Sequence, residues 1–311
     1  MACYHPIDAW RARVGTTVNG NVPLVFKAEY GLPGSELKVP CGQCIGCRLE
    51  RSRQWAIRCY HESKLHIQNC FLTLTYNPSF EDHLKSVDKR TGEVTLSLNK
   101  RDYVLFLKRL RKKFGDGIRF FQCGEYGELL SRPHHHILIF GFDFPDKKLW
   151  LSNNGFPLYR SEILEDLWPY GYSTIADVTF ESAAYVARYI TKKITGDIAD
   201  DHYCGRMPEY VTMSRRPGIA RDFAEKYLSD FYPSDKCVVR PGMIARPPKF
   251  YDAIYDSIFP DKFTEIKEKR KRYLENNVEE HTPERLAVKE KLQQLKAEKL
   301  IRPIENGKVE F

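Results

Sequence analysis

Arg132-Pro-His-His-His-Ile-Leu-Ile-Phe-Gly141, RPHHHILIFG, is the stretch on which the reading of this chain turns. Ile137 to Phe140 form an unbroken apolar run of the kind found in a buried strand, yet three histidines stand directly before it. Successive side chains of a strand point to opposite faces, so His134 and His136 share one face about 6.5–7 Å apart along the backbone, and His135 takes the other. Two imidazoles at that spacing can grip one metal ion. The preceding apolar segment, Ile118 to about Tyr126, carries Glu125, which becomes the third ligand if the two segments pair as a hairpin. Two nitrogens and a carboxylate leave positions open for substrate oxygens, as catalytic metal sites do. An isolated His-x-His is more often a surface or hydrogen-bonded pair, so the motif needs a second one beside it.

Outward from this hairpin the chain alternates strands with amphipathic helices. Phe71–Tyr76, FLTLTY, is β-branched and aromatic and ends at Asn77-Pro78; its Thr73 and Thr75 share a face. Arg48 to about His66 has helical spacing among many charges. Asn99 caps a helix to about Phe114 with Asp102 in capping-box position and Gly115 as the stop. A short helix over Ser161–Trp168, a strand over Tyr172–Val178, a helix from Thr179 to about Lys193 and one helix over Arg221–Phe231 follow. The first forty residues carry scattered Gly and Pro and predict irregular structure with one short strand at most. Residues 261–300 hold 11 basic and 9 acidic side chains, the composition of a solvated helical tail broken at Pro283. Three regions are therefore expected: 1–47, 48–245 and 246–311.

The 311 residues are 42% apolar and 13% aromatic, enough to build a core. Lys and Arg number 49 against 41 Asp and Glu, a net +8, which suits a polyanionic partner. No segment has the apolar length of a membrane span, and the first residues lack the apolar stretch of a secretory signal, so a soluble intracellular protein is expected. No Gly-x-x-x-x-Gly-Lys-Ser/Thr phosphate loop occurs, which argues against an NTP-driven motor. Among nine cysteines, Cys41-x-x-Cys44-x-x-Cys47 has the spacing of a metal knuckle. Cys3, His5 and Cys59 are candidates for a fourth ligand, and Cys3 is preferred, giving a structural zinc site of Cys3, Cys41, Cys44 and Cys47; the competing reading is reduced thiols in a turn-rich segment.

The second motif lies in Thr179–Lys193, TFESAAYVARYITKK. Tyr185 and Tyr189 are four apart and so neighbours on one helical face, with Arg188 and Lys192 each three residues beyond a tyrosine. Such a pair is usually core or interface packing. A phenol, with pKa near 10, needs a cation or metal at the phosphate it attacks, and these basic residues with the His/His/Glu group would supply it.

FLTLTY, PHHH followed by ILIFG, and YVARYITK, in that order, resemble the three motifs of the HUH endonucleases that initiate rolling-circle replication. The wording of CGQCIGCR upstream and Val211–Gly218, VTMSRRPG, downstream is similar to that of gokushovirus replication initiators, over roughly residues 40–232. The resemblance implies an α+β fold, a central antiparallel sheet flanked by helices with a ferredoxin- or RRM-like palm. It implies Mg²⁺ or Mn²⁺ on His134, His136 and Glu125, catalysis by Tyr185, Tyr189 and Lys192, and a 5′-phosphotyrosine intermediate with a free 3′-OH. It also implies origin DNA as substrate, a host helicase and polymerase as partners, and the cytoplasm of an infected bacterium as location. Thr73, Thr75, Arg188, Arg215 and Arg216 are expected against the DNA strand, with further cations at Arg48, Arg51, Arg53, Arg58 and Lys108 to Lys113. A zinc-dependent DNA-binding protein without catalysis, and a transposase- or relaxase-type strand transferase, are the competing readings.

Overall fold

The computed structural model describes residues 3–15, 22–127, 130–153, 156–189, 193–194 and 199–298. The chain divides into two compact units, one of Met1–Arg51 with Arg270–Leu300, the other centred on Ser52–Lys269. In the first, β1 (Ile7–Arg11) lies between β2 (Leu24–Val25) and β3 (Leu37–Val39), antiparallel to both. The sequence suggested one strand here at most, because segments this short are too brief for a period of two to register.

Then follow α1 (Ile45–Ser63), β4 (Asn69–Tyr76), the hairpin β5 (Lys85–Val87) and β6 (Val94–Leu96), α2 (Lys100–Phe114), β7 (Arg119–Tyr126) and β8 (Pro133–Phe140). A second hairpin, β9 (Lys148–Asn153) and β10 (Phe156–Arg160), precedes α3 (Glu162–Leu167), β11 (Gly171–Ala176) and α4 (Phe180–Arg188). Caps set the helix starts. The Asn99 side chain accepts from the Arg101 N–H, Ser161 from Leu164, and Thr179 with Ser182 forms a capping box ahead of α4. Gly115, at φ +93°, ends α2 in a conformation that favours glycine. Asp102 does not cap: it is 1% exposed, and its carboxylate accepts from Tyr76 Oη and pairs with His83, because the first turn of α2 packs onto the sheet.

β4, β7, β8 and β11 form a βαββαβ core with α2 and α3 as its crossovers. The complete sheet is antiparallel in the order β12-β7-β8-β4-β11-β10-β9, with β12 (Tyr210–Met213) on one edge. In space the four core strands run second, third, first, fourth, the ferredoxin-like order. Strand alternation divides the apolar residues cleanly. Phe71, Phe121, Cys123, Leu138 and Phe140 meet α1 and α4 on one face. Leu72, Leu74, Ile137, Ile139 and Ile175 meet Phe106 and Leu110 of α2, and Trp168, on the other.

α5 (Ala199–Tyr203) precedes β12; after it come α6 (Arg221–Lys226), α7 (Leu228–Phe231), the hairpin β13 (Cys237–Arg240) and β14 (Met243–Ala245), α8 (Lys249–Ile258), α9 (Pro260–Glu275) and α10 (Pro283–Glu298). The expected single helix over 221–231 breaks at Tyr227 into two. The charged C-terminal stretch is not all solvated. Tyr251, Ile254, Tyr255, Phe263 and Ile266 are buried in the same layer as Phe71 and Leu138. Their spacing of three or four residues marks a helical stripe that the average composition conceals.

Candidate active site

Antiparallel pairing sets Glu125 of β7 opposite His134 of β8, and Thr73 of β4 opposite His136. His136 Nε2 lies 2.8 Å from Glu125 Oε1, and its Nδ1 lies 3.1 Å from Thr73 Oγ1. A carboxylate only accepts, so Nε2 carries the proton and Nδ1 accepts from the threonine hydroxyl. His134 Nδ1 is 2.6 Å from the Arg132 carbonyl oxygen and must donate to it, which leaves the Nε2 lone pair in the form a metal ion requires. Burial, then the neighbouring His136, holds His134 below the ordinary imidazole value. The two rings are parallel within 7°, with centroids 6.5 Å apart. A β-carbon at Gly127 would press to 3.3 Å of His134 Cε1, so the bend after β7 is made close by glycine.

α4 crosses this face with both tyrosines turned to His136. The Tyr185 ring meets the imidazole edge-on, centroids 5.1 Å apart at 89°, and the Tyr189 ring stacks on it at 5.5 Å and 10°. The phenol rings themselves are 5.0 Å apart, and the Arg188 guanidinium lies 5.3 Å from the centre of the Tyr185 ring. Tyr189 is buried, 4% exposed; burial, then the charges of Glu125 and Tyr185, pushes its phenol far above the ordinary value. Lys192 lies outside the described residues. The donor set suits a divalent cation: His134 offers a lone pair, and the His136 proton facing Glu125 is the one a cation replaces. These donors are not drawn tightly together. Among the described residues, the four cysteines alone form a group of three or more His, Cys, Asp or Glu whose donor atoms all lie within 4.8 Å.

A family model for replication-associated proteins of the ORF2 type matches residues 69–194, which span β4 to just past α4 and so include Thr73, Glu125, the histidines and both tyrosines. Replication-associated protein VP4 of Bdellovibrio phage phiMH2K is 35% identical over 280 residues, 87% of this chain and 82% of that protein. Replication-associated protein ORF2 of Spiroplasma virus 4 is 31% identical over 293 residues, 88% of this chain and 86% of that protein. The chain belongs to the family of phage replication-associated proteins. Its likeness to the gokushovirus replication initiators, read from the motifs, therefore holds. No solved structure matches.

Other residues of this family member fall in different places from those the sequence suggested. Thr73 turns its hydroxyl to His136. Thr75 is 7% exposed, and its carbonyl accepts from Trp168 Nε1. Arg215 and Arg216 are exposed in the turn after β12. Arg58, expected as a surface cation, is buried between the rings of Trp55 and Phe250, at 4.0 and 3.8 Å, and donates to the Ile219 carbonyl. With Arg119 on the Pro217 carbonyl and Glu62 accepting from the Ala220 N–H, it holds the base of the Arg215–Arg216 turn. Sequence reading missed Glu62 because its partners are distant in the chain. His135 faces away from the site, fully buried; Gln122 donates to its Nδ1 and its Nε2–H donates to Tyr76 Oη, which itself donates to Asp102.

The cysteine motif gathers as its spacing suggests. Cys41, Cys44 and Cys47 close with Cys3, not His5 or Cys59. His5 is bonded to Glu290 at 2.6 Å, and Cys59 is buried in the core layer of the sheet. Burial raises the Cys44 thiol, but N–H groups of Tyr4 and Cys47 and the neighbouring thiols outweigh it and bring the pKa down to about 7.

Proposed function

We propose that this protein nicks and rejoins single-stranded DNA at a phage replication origin and so initiates rolling-circle replication in the cytoplasm of an infected bacterium. One observation carries the reading: two tyrosines one helical turn apart both pack against a histidine that is hydrogen-bonded to Glu125. His134, His136 and Glu125 would hold a divalent ion, Mg²⁺ or Mn²⁺, which when bound polarises the phosphate and offsets its charge. The tyrosine oxygen attacks phosphorus as the phenol proton departs. The bond from phosphorus to the 3′ oxygen breaks, that oxygen takes up a proton, and a 5′-phosphotyrosine forms. The free 3′-OH primes the host polymerase on a strand opened by a host helicase. Return attack by a 3′-OH rejoins the strand and frees the tyrosine, with no NTP needed, in keeping with the missing phosphate loop. Tyr185 and Tyr189 serve alternate rounds, since either ring reaches the same histidine. Arg188 beside Tyr185, and Lys192, steady phosphate charge.

The test is incubation of the full chain with single-stranded circular origin DNA and Mn²⁺, followed by denaturing electrophoresis. A protein–DNA adduct that survives denaturation is expected. Full adduct from the Tyr185→Phe/Tyr189→Phe double variant would overturn the proposal.

A further inference from the structure

The cysteine cluster has no part in that reaction, and the unit containing it lacks an ordinary source of stability. Among the described residues of Met1–Arg51 and Arg270–Leu300, the buried apolar side chains are Ala9 and Leu286, joined by Cys3 and Cys44. α10 leaves Val288, Leu292 and Leu295 exposed, and β1 meets β2 and β3 over short registers. Burying one leucine-sized side chain contributes about 1.5–3 kcal/mol, whereas ordering the backbone of one residue costs about 1–2 kcal/mol. Two such side chains do not offset the ordering of a whole unit. Units with so little core are held by disulfides or by a metal. The cysteines are free thiols, so disulfides do not hold this one.

We propose that this unit folds around a single zinc ion held by Cys3, Cys41, Cys44 and Cys47. Sulfurs placed about 2.3 Å from a tetrahedral ion stand about 3.8 Å apart, and the four Sγ atoms lie within 4.8 Å of one another. An iron–sulfur cubane needs its cysteines spread much farther. The surrounding backbone is arranged for thiolates: the Cys41 N–H donates to Cys3 Sγ at 3.3 Å, those of Gln43 and Cys44 to Cys41 Sγ at 3.4 and 3.3 Å, and that of Tyr4 to Cys44 Sγ at 3.4 Å. Cys44 and Cys47 also stand at the start of α1, a helix of 19 residues whose N-terminal dipole favours negative sulfur. All four donors are soft, which selects zinc over the hard cation proposed for the histidine site. Closing Cys3 onto Cys41 ties both ends of the β1–β3 segment, so the metal replaces the missing core.

The experiment uses the full chain purified under reducing conditions without added metal. Elemental analysis should find one zinc per chain, retained in Cys204→Ser and lost in Cys44→Ser. Exchange into Co²⁺ should give the intense visible bands of a tetrahedral cobalt thiolate. If Cys44→Ser does not fold, the wild-type chain carries the test. Stripping its zinc with a strong chelator should speed amide exchange in Ile7–Arg11 and Leu37–Val39 while Asn69–Tyr76 and Arg119–Tyr126 stay protected. Metal-free protein with slow exchange in β1 and β3, disulfides among the four cysteines, or iron with acid-labile sulfide would each overturn the proposal.

Discussion

Tyr189 is a phenol in surroundings that resist its ionisation, since burial and Glu125 both raise its pKa. A cation on the His134, His136 and Glu125 side chains reverses the second of these effects, coupling ion binding to activation of the nucleophile. The raised pKa keeps the reactive phenolate scarce near neutrality, so single-turnover nicking at saturating Mn²⁺ should climb with pH by roughly tenfold per unit until another step limits it. A flat profile would mean that phenol deprotonation is not being sensed. Each single Tyr→Phe change should leave part of the adduct and the double change none, read on denaturing gels. Thr73→Val removes the hydroxyl donor from His136 and should weaken Mn²⁺ binding about 10- to 100-fold, with Thr73→Ser restoring most of it, as measured by calorimetry. His134, His136 and Glu125 were legible in the sequence because strand alternation fixes faces without knowledge of neighbours. The role of Thr73 was not, since the residue opposite it in the sheet is set by pairing and not by its own segment.

Helices and strands were legible where their signals are local. Asn99, Ser161 and Thr179 announce helix starts through caps completed within three residues. Asp102 misled for the same reason: its position suits a cap, but its partners lie on β4 and in the segment before β5. α1 shows what an element conceals. Its His61 is buried beside Phe223 and Phe231, accepts from Tyr251 Oη and donates to the Val238 carbonyl, and burial lowers its pKa to about 4. The unfolded chain binds that proton at about 6.5, so the unfolded state takes up more protons between these values and stability falls as pH drops through this window. The loss at the acid end amounts to about 3 kcal/mol from this residue. His135, with its pKa lowered to about 3, extends the same trend further down. Urea unfolding of the wild-type chain at stepped pH should show the decline, and His61→Gln should flatten its upper part; an unchanged slope in that variant would assign the decline elsewhere.

For the whole molecule, net charge says only that a polyanion is welcome, and the placement of cations decides how it is met. Arg58 is spent on the interior, whereas Arg215 and Arg216 stand exposed on a turn whose base Arg58, Arg119 and Glu62 secure. Fluorescence anisotropy with single-stranded DNA across a salt series should lose affinity steeply, and Arg215→Ala/Arg216→Ala should reduce the log–log slope by about 1.4, or roughly 0.7 for each phosphate contact. An unchanged slope would place the strand elsewhere. The boundaries expected from composition erred because averages over a window hide a stripe of single residues: α8 and the start of α9 belong to the sheet's core layer, not to a tail. The unit made of Met1–Arg51 with Arg270–Leu300 has a further consequence, one of timing. Its first part leaves the ribosome before any other segment and its second part near the end of synthesis. The opening residues must therefore wait, unpartnered, while β4 to α8 are made and fold. On ribosomes stalled before Arg270, Cys41, Cys44 and Cys47 should still react quickly with a thiol reagent, although Cys70 within β4 is already shielded.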